Sequence, residues 1–161
     1  MTTATFDKPA DDRWFEDYPV VAVYEFGEAT LTEEAIIAFA RQWDPQVYHV
    51  DPEAAKAHYY GGIIASGWHT ACTMMRLYVD HCLSTVAALG SPGVDEVRWP
   101  TPTLPGDTLR VRVTVESARR SRSKPDRGIV ISRVEVLNQR DEVAMSMKAT
   151  NLFLCRPAGA D

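Results

Sequence analysis

The spacing of the apolar residues changes between the two halves of this chain. In the first half, four apolar residues follow the three- and four-residue spacing of one helix face: Ile36, Phe39, Ala40 and Trp43. Thr32 stands where a helix cap is favoured, with two acidic residues after it. The pattern predicts a helix that ends near Gln42, preceded by a first strand over residues 20–26.

Two further helices are predicted before the middle of the chain. Asp51, Pro52 and Glu53 form a cap, a proline at the first helical position and an acidic first turn, which predicts a short helix through about His58. The segment from Trp68 to about Ala88 is apolar on most sides. Helices of that kind are usually covered by their neighbours, so we expect this one to be buried and central.

The second half is rich in β-branched residues, and apolar positions alternate with polar ones at a period of two. Strands are predicted over residues 94–99, 108–117, 128–137 and 142–154. Turn residues lie between each of these four strands and the next, at 105–107, 125–128 and 138–141. The pattern indicates an α+β fold, an antiparallel sheet of strands in hairpin order with helices on one face.

Length and composition narrow the class of protein. The chain has 161 residues, 45% of them hydrophobic, which fits a single domain over 1–161 with an ordered core at about 13–156. A net charge of −5 argues against nucleic-acid binding. No apolar run is long enough to span a membrane and no secretory signal is present at the start, so we expect a cytoplasmic protein without a membrane partner. Three cysteines without metal-ligand spacing are expected to be buried, reduced thiols.

Candidate chemistry is concentrated between Trp43 and Pro52. Asp44 and His49 stand five residues apart across a bend that contains Pro45. A turn can direct both side chains at one point, and a carboxylate beside an imidazole is a common acid/base pair. The alternative is structural, because Asp-Pro often starts a turn and a histidine can cap a helix.

This stretch resembles the hydratase motif of the MaoC-like acyl dehydratases, which include the (R)-specific enoyl-CoA hydratases. The resemblance extends over nearly the whole chain and includes the glycine-containing loop 62–67 and the segments 98–100 and 105–107. It implies a hotdog fold, in which the sheet wraps around the central helix. It further implies that Asp44 and His49 act on a water or hydroxyl, while the Gly67 amide holds the thioester oxygen.

Two residues depart from the family motif, since Gln46 replaces the usual Asn and Val47 the usual Pro. The amide of Gln46 can still give an orienting hydrogen bond to a catalytic side chain. We expect Gln46 and Ser66 to contact substrate. The basic segment 119–127 has two interpretations, a solvated hairpin loop or a binding site for the phosphates of coenzyme A. The second would use three of its residues: Arg119, Arg122 and Lys124.

The expected function is hydration of a trans-2-enoyl-CoA, or the reverse dehydration, by a homodimer or higher homo-oligomer. No cofactor is expected, because coenzyme A is part of the substrate. No metal site is expected either, because the histidines lack a spacing that pairs two of them on one helix face. A hotdog thioesterase and a non-catalytic acyl-CoA-binding or partner-binding subunit remain as alternatives. Acyl-chain length and the choice between coenzyme A and an acyl carrier protein stay open.

Overall fold

A computed structural model describes residues 3–159 of the chain. Four α-helices and five β-strands follow two short 3-10 turns near the start. The helices are α1 (Glu33–Trp43), α2 (Val47–Val50), α3 (Pro52–Lys56) and α4 (Gly67–His81). The strands are β1 (Val23–Thr30), β2 (Gly93–Arg98), β3 (Thr108–Arg120), β4 (Arg127–Leu137) and β5 (Val143–Leu154).

The five strands form one antiparallel sheet in the order β1-β3-β4-β5-β2. Only β3, β4 and β5 follow each other as hairpins. The expectation that β2 belongs to the same hairpin series was wrong, because β2 pairs with β5 and lies at an edge of the sheet. Nine residues separate β2 from β3, and part of this connection lines the same cavity as Asp44 and His49.

Helix α4 packs on the sheet with one face only. Its buried side chains are Thr70, Met74, Leu77 and Tyr78, and it contacts β1, β3 and β5. The opposite face leaves an apolar stripe exposed in the single chain: Trp68, Cys72, Met75 and Val79. The prediction of a helix buried all round was therefore wrong for the single chain. The helix also ends at His81, seven residues before the predicted end at Ala88.

The core lies between α4 and the inner face of the sheet. Alternate residues of the three hairpin strands point into it, as the period of two predicted, and among them Leu109, Met145 and Phe153 are almost fully buried. Gly27 interrupts β1 with a positive φ of 75°. A Cβ at Gly27 would lie 2.8 Å from the side chain of Leu77, so the glycine lets β1 lie directly against α4.

The N-terminal segment packs on the end of α4. Residues 3–12, which precede the expected start of the ordered core, take part, since Phe6 stacks on Tyr24. Arg13 is 5% exposed, lies over the Phe6 ring and donates hydrogen bonds to the carbonyls of His81 and Cys82. It thereby satisfies carbonyls that the end of a helix leaves unpaired.

The cysteines differ from one another in exposure. Only Cys82 is buried, whereas Cys72 is exposed and Cys155 is half-buried, so the expectation of three core thiols was wrong for two of them. Burial raises the pKa of the Cys82 thiol to about 12. Within residues 3–159, none of the helices combines the length and the apolar character needed to cross a membrane.

Candidate active site

Asp44 stands at the point where α1 ends. Its backbone N–H still donates to the carbonyl of Ala40, but its φ and ψ of −154° and 67° are no longer helical. The Pro45 ring excludes the residue before it from the helical region, so the helix must stop here. The chain then makes a single helical turn, α2, which the sequence pattern did not predict. This turn brings His49 back toward Asp44.

His49 is held by the backbone of the segment that leads into α4. Its Nδ1 lies 2.7 Å from the carbonyl oxygen of Ile64, which can only accept a hydrogen bond. Nδ1 must therefore carry a proton, and in the neutral ring Nε2 offers a lone pair. That Nε2 lies 3.4 Å from the Asp44 Oδ2 atom. The turn thus directs both side chains at one point, as the sequence predicted.

Both carboxylate oxygens of Asp44 accept hydrogen bonds. The Ser66 hydroxyl donates to Oδ2 over 2.7 Å and the Gln46 amide donates to Oδ1 over 2.8 Å, while the Tyr48 hydroxyl in turn donates to Gln46. Partial burial pushes the pKa of Asp44 upward. The hydrogen bonds from Ser66 and Gln46, together with the positive charge of His49 when its ring is protonated, outweigh it, so the pKa lies below its ordinary value and Asp44 is ionised at neutral pH.

Gly67 is the first residue of α4, and Ser66 caps the helix by accepting from the N–H of Trp68. At the first position of a helix the backbone N–H has no partner within the helix, and the helix dipole favours negative charge beside it. A Cβ on Gly67 would lie 2.7 Å from the ring of Trp99. The absence of a side chain therefore allows Trp99 to cover the start of the helix.

These groups line one cavity of about 280 Å³. Trp68, Trp99 and Tyr60 stand at its mouth and are 60%, 40% and 44% exposed. The two tryptophan rings meet edge to face at 5.3 Å between centroids. Two buried threonines, Thr70 and Thr103, also line the cavity, and we call this inner part its floor. The cavity therefore has an aromatic entrance and a hydroxyl-bearing floor.

The predicted site residues fall into two groups. Asp44, His49, Gln46, Ser66 and Gly67 all line the cavity. The polar groups of Gln46 and the hydroxyl of Ser66 are engaged with Asp44, Tyr48 and the cap of α4, so their contacts place them as supports of the carboxylate. Their expected contact with substrate remains a prediction.

The basic residues lie elsewhere in the chain. Arg119, Arg122 and Lys124 belong to the end of β3 and the turn that joins it to β4, and this turn lies beside the end of β5. Ala144, near the start of β5, lines the cavity. Ten residues of strand, roughly 33 Å at the usual rise, separate the two ends. The basic segment therefore contributes nothing to the cavity of its own chain.

Several cavity residues escaped the sequence analysis. Trp99 was interpreted as the end of a strand, and Thr101 and Thr103 follow it in the connection between β2 and β3. No local spacing marks these residues, because their position depends on the pairing of β2 with β5. Within residues 3–159, no group of three or more His, Cys, Asp or Glu side chains is arranged to hold a metal ion.

The architecture recurs in solved structures. A protein of Mycobacterium tuberculosis described as a double hotdog fold superposes with a TM-score of 0.74 at 16% identity, covering 96% of this chain and 48% of that one. A MaoC-like dehydratase from Rhodospirillum rubrum has a TM-score of 0.82 at 41% identity, covering 90% of this chain and 99% of that one. The fold of the present chain is therefore the hotdog fold.

Sequence comparison defines the family. The profile of the MaoC like domain matches residues 19–137. An uncharacterised protein of Bacillus subtilis is 25% identical over 78% of this chain and 88% of its own length. The 3-hydroxyacyl-thioester dehydratase Z of M. tuberculosis is 38% identical, but the match spans only 50% of this chain and 55% of that protein. The chain belongs to the MaoC-like dehydratase family.

Proposed function

We propose that this protein is a hydratase/dehydratase that adds water to the double bond of a trans-2-enoyl-CoA or removes it from a 3-hydroxyacyl-CoA. The observation that carries the proposal is the shared placement of Asp44 and the His49 Nε2 atom, 3.4 Å apart, beside the N-terminus of α4. The 3-hydroxyacyl-thioester dehydratase among the relatives supports the reaction class.

The protonation states define how the pair would hold water. Asp44 is ionised, and the neutral form of His49 offers a lone pair on Nε2. The two groups facing the cavity are then both hydrogen-bond acceptors. A single water can donate one O–H to each of them, which places its oxygen between them with a free lone pair. We therefore assign to Asp44 and His49 the binding and orientation of the attacking water.

The remaining steps of the proposed reaction follow from where negative charge develops and where the proton of the water goes. As the water oxygen bonds to the β-carbon, the π electrons move toward the thioester oxygen, and the Gly67 N–H stabilises the negative charge there. His49 accepts the proton that the water loses, and Asp44 stabilises the resulting imidazolium. Transfer of that proton to the α-carbon completes the addition of water and restores the neutral imidazole. This acid/base sequence requires no cofactor.

The experiment follows two signals from the same enoyl-CoA. Hydration removes the enoyl chromophore without releasing thiol, whereas a thioesterase would release free coenzyme A. Neither signal over several chain lengths would favour an acyl-CoA-binding subunit. We expect loss of the chromophore alone, and we expect Asp44→Asn and His49→Ala to lower its rate by ~10² to 10⁴-fold.

Two variants serve as matched controls. Asp51 is a carboxylate of the same sequence stretch, but it caps α3 and does not line the cavity. His81 is exposed at the end of α4. Asp51→Asn and His81→Ala should keep rates within about threefold, far less than the loss of an acid/base group. Equal losses in the control and site variants, at unchanged melting temperatures, would refute the assignment.

We further propose that the protein is a homodimer or higher homo-oligomer. The exposed stripe of α4 supports this proposal, because helical faces with adjacent large apolar residues usually mark an interaction surface. A solved relative from M. tuberculosis, 17% identical, is described as a complex. We expect light scattering to give at least twice the 17.9 kDa chain mass, and Met75→Glu, which charges the stripe, to reduce it. A monomer mass for the parent protein at micromolar concentration would contradict the proposal.

A further inference from the structure

The floor of the cavity contains a hydrogen-bond donor that the protein leaves unused. Thr70 and Thr103 are 1% and 3% exposed, and their hydroxyl oxygens are 3.0 Å apart. Two hydroxyls carry two O–H donors, and one donor satisfies the bond between them. Among residues 3–159, neither hydroxyl has a second hydrogen-bond partner. One buried O–H therefore remains available at the floor.

The floor lies where the acyl chain of a bound thioester would reach. Thr70 is three residues beyond Gly67 on α4, ~4.5 Å along the helix axis. If Gly67 holds the thioester oxygen, the acyl carbons just beyond the double bond reach the level of Thr70. Trp99 and Tyr60, which are exposed at the mouth and lie outside the apolar stripe of α4, leave that side for the coenzyme A portion.

An alkyl chain would suit this floor poorly. It would displace water from the free O–H and offer no acceptor in return, which leaves a buried donor unpaired. The cavity of about 280 Å³ also lies at the small end of the range for ligand sites. Its lining residues among 3–159 include no Lys or Arg, and Asp44 is ionised, so a second carboxylate would meet repulsion.

We infer that the preferred acyl group is short and carries a neutral oxygen, such as an ether, hydroxyl or ketone, at the fourth or fifth carbon, where it accepts a hydrogen bond from the Thr70–Thr103 pair. This inference rests on the proposed function for the orientation of the thioester. It goes beyond that function by naming the acyl class.

The test uses two unreactive saturated thioesters of nearly equal shape, hexanoyl-CoA and 4-methoxybutanoyl-CoA, in which an oxygen replaces one methylene. Calorimetric titration gives the dissociation constant of each. We expect the parent protein to bind the ether about fivefold more tightly, the value of one ordinary hydrogen bond. The double variant Thr70→Val, Thr103→Val removes both hydroxyls at constant shape, and the preference should disappear.

Two variants make the comparison specific. Thr73→Val on the same helix removes a hydroxyl that donates to the His69 carbonyl outside the cavity, and it should keep the preference. Thr70→Ser retains the hydroxyl and should keep the preference. It provides a second comparison if the double variant unfolds at too low a temperature to be titrated. Equal binding of the two thioesters by the parent, a preference that survives in the double variant, or no binding of either thioester would overturn the inference.

Because binding is measured with saturated thioesters, the result does not depend on catalysis. The corresponding enoyl thioesters, trans-2-hexenoyl-CoA and its 4-methoxy-2-butenoyl counterpart, then report on the proposed function. A binding preference without hydration of either would refute the hydratase and leave the acyl class standing. Hydration of both thioesters without a binding preference would support the hydratase and refute the acyl class.

Discussion

The Ser66 hydroxyl supports both the Asp44 carboxylate and the N-terminal cap of α4. Its removal should therefore have two effects that can be measured separately. The hydroxyl donates to Asp44 over 2.7 Å and accepts from the Trp68 N–H at the start of α4. Ser66→Ala removes both contacts and leaves the backbone in place. We expect a loss of stability from the cap, a pH-dependent part of that loss from the carboxylate, and a lower rate of hydration at neutral pH.

The stability loss has a part that depends on pH and a part that does not. Loss of a serine cap costs about 1 kcal/mol. A hydrogen bond to a charged group is worth about 1.5–3 kcal/mol when buried, and the open cavity reduces this, so we expect about 2 kcal/mol in total at neutral pH. For a chain of this length, that lowers the melting temperature by roughly 4–8 °C.

The sign of the pH dependence follows from the lowered pKa of Asp44. A group with a depressed pKa in the folded state stabilises the protein above its ordinary pKa, and this contribution is lost as the pH falls through the folded value. Ser66→Ala raises the folded pKa. The stability difference between parent and variant should therefore be largest at neutral pH and shrink below about pH 4 to the contribution of the cap.

Activity gives a second readout at neutral pH. Hydration needs neutral His49 as well as ionised Asp44, so the acid limb of kcat/KM does not isolate the carboxylate, and parent and variant are compared at neutral pH instead. At neutral pH we expect about a tenfold loss of kcat/KM from the lost orientation of the carboxylate. Ser66→Thr keeps a hydroxyl and should restore most of it.

The matched control is Ser84→Ala. Ser84 is also buried and accepts from two backbone N–H groups, of Val86 and Ala87, but it has no carboxylate partner. Ser84→Ala should lose stability by an amount that does not shrink below about pH 4, and it should keep kcat/KM at neutral pH. A stability loss in Ser66→Ala that stays the same from neutral pH to below about pH 4 would refute the claim that this hydroxyl stabilises ionised Asp44.

Three further predictions concern the surroundings of the site. Gly67→Ala places a Cβ 2.7 Å from the Trp99 ring, and this clash should lower hydration at least tenfold by moving the start of α4 and the Gly67 N–H. Removal of the ring by an added Trp99→Ala should relieve the clash and recover part of the rate, whereas an unaffected rate in Gly67→Ala would show that the ring yields freely. Arg13→Gln leaves the last carbonyls of α4 without their charged donor and should cost about 3 kcal/mol in urea unfolding, whereas a cost under 1 kcal/mol would show that water replaces it. Cys82 is 1% exposed with its pKa raised by burial, so a thiol reagent should label it only as fast as the protein unfolds.

Local patterns predicted the elements of the fold more reliably than their pairing. The apolar spacing gave α1 within one residue at its C-terminal end, and alternation gave β3, β4 and β5 with their turns. The position of β2 at the sheet edge depends on a contact with β5 about fifty residues away, which no local spacing records. The exposure of one face of α4 was also hidden, because apolar composition does not distinguish a core from an interface.

The same contrast between local patterns and contacts of distant segments applies to the candidate site. Asp44 and His49 could be predicted to lie together because they stand in one continuous motif, and the family resemblance added Gly67, which lines the same cavity. The walls of the cavity come from the connection after β2 and from the start of β5, and only the folded chain brings Trp99, Thr103 and Ala144 to the motif. The basic segment had the charge for phosphate binding, but its location at the far end of β3 could not be deduced from composition.

The segment that joins α3 to α4 holds Asp44 and His49 in place, whereas the walls of the cavity come from other parts of the chain. Its backbone receives the His49 Nδ1–H at Ile64, and its Ser66 side chain fixes Asp44 and caps α4. The cavity walls at Trp99 and Ala144 belong to other parts of the chain. Under the proposed function, substitutions in those walls would therefore change which acyl group fits while Asp44 and His49 keep their relative positions. A scaffold of this kind allows new substrates to evolve without rebuilding the reaction centre.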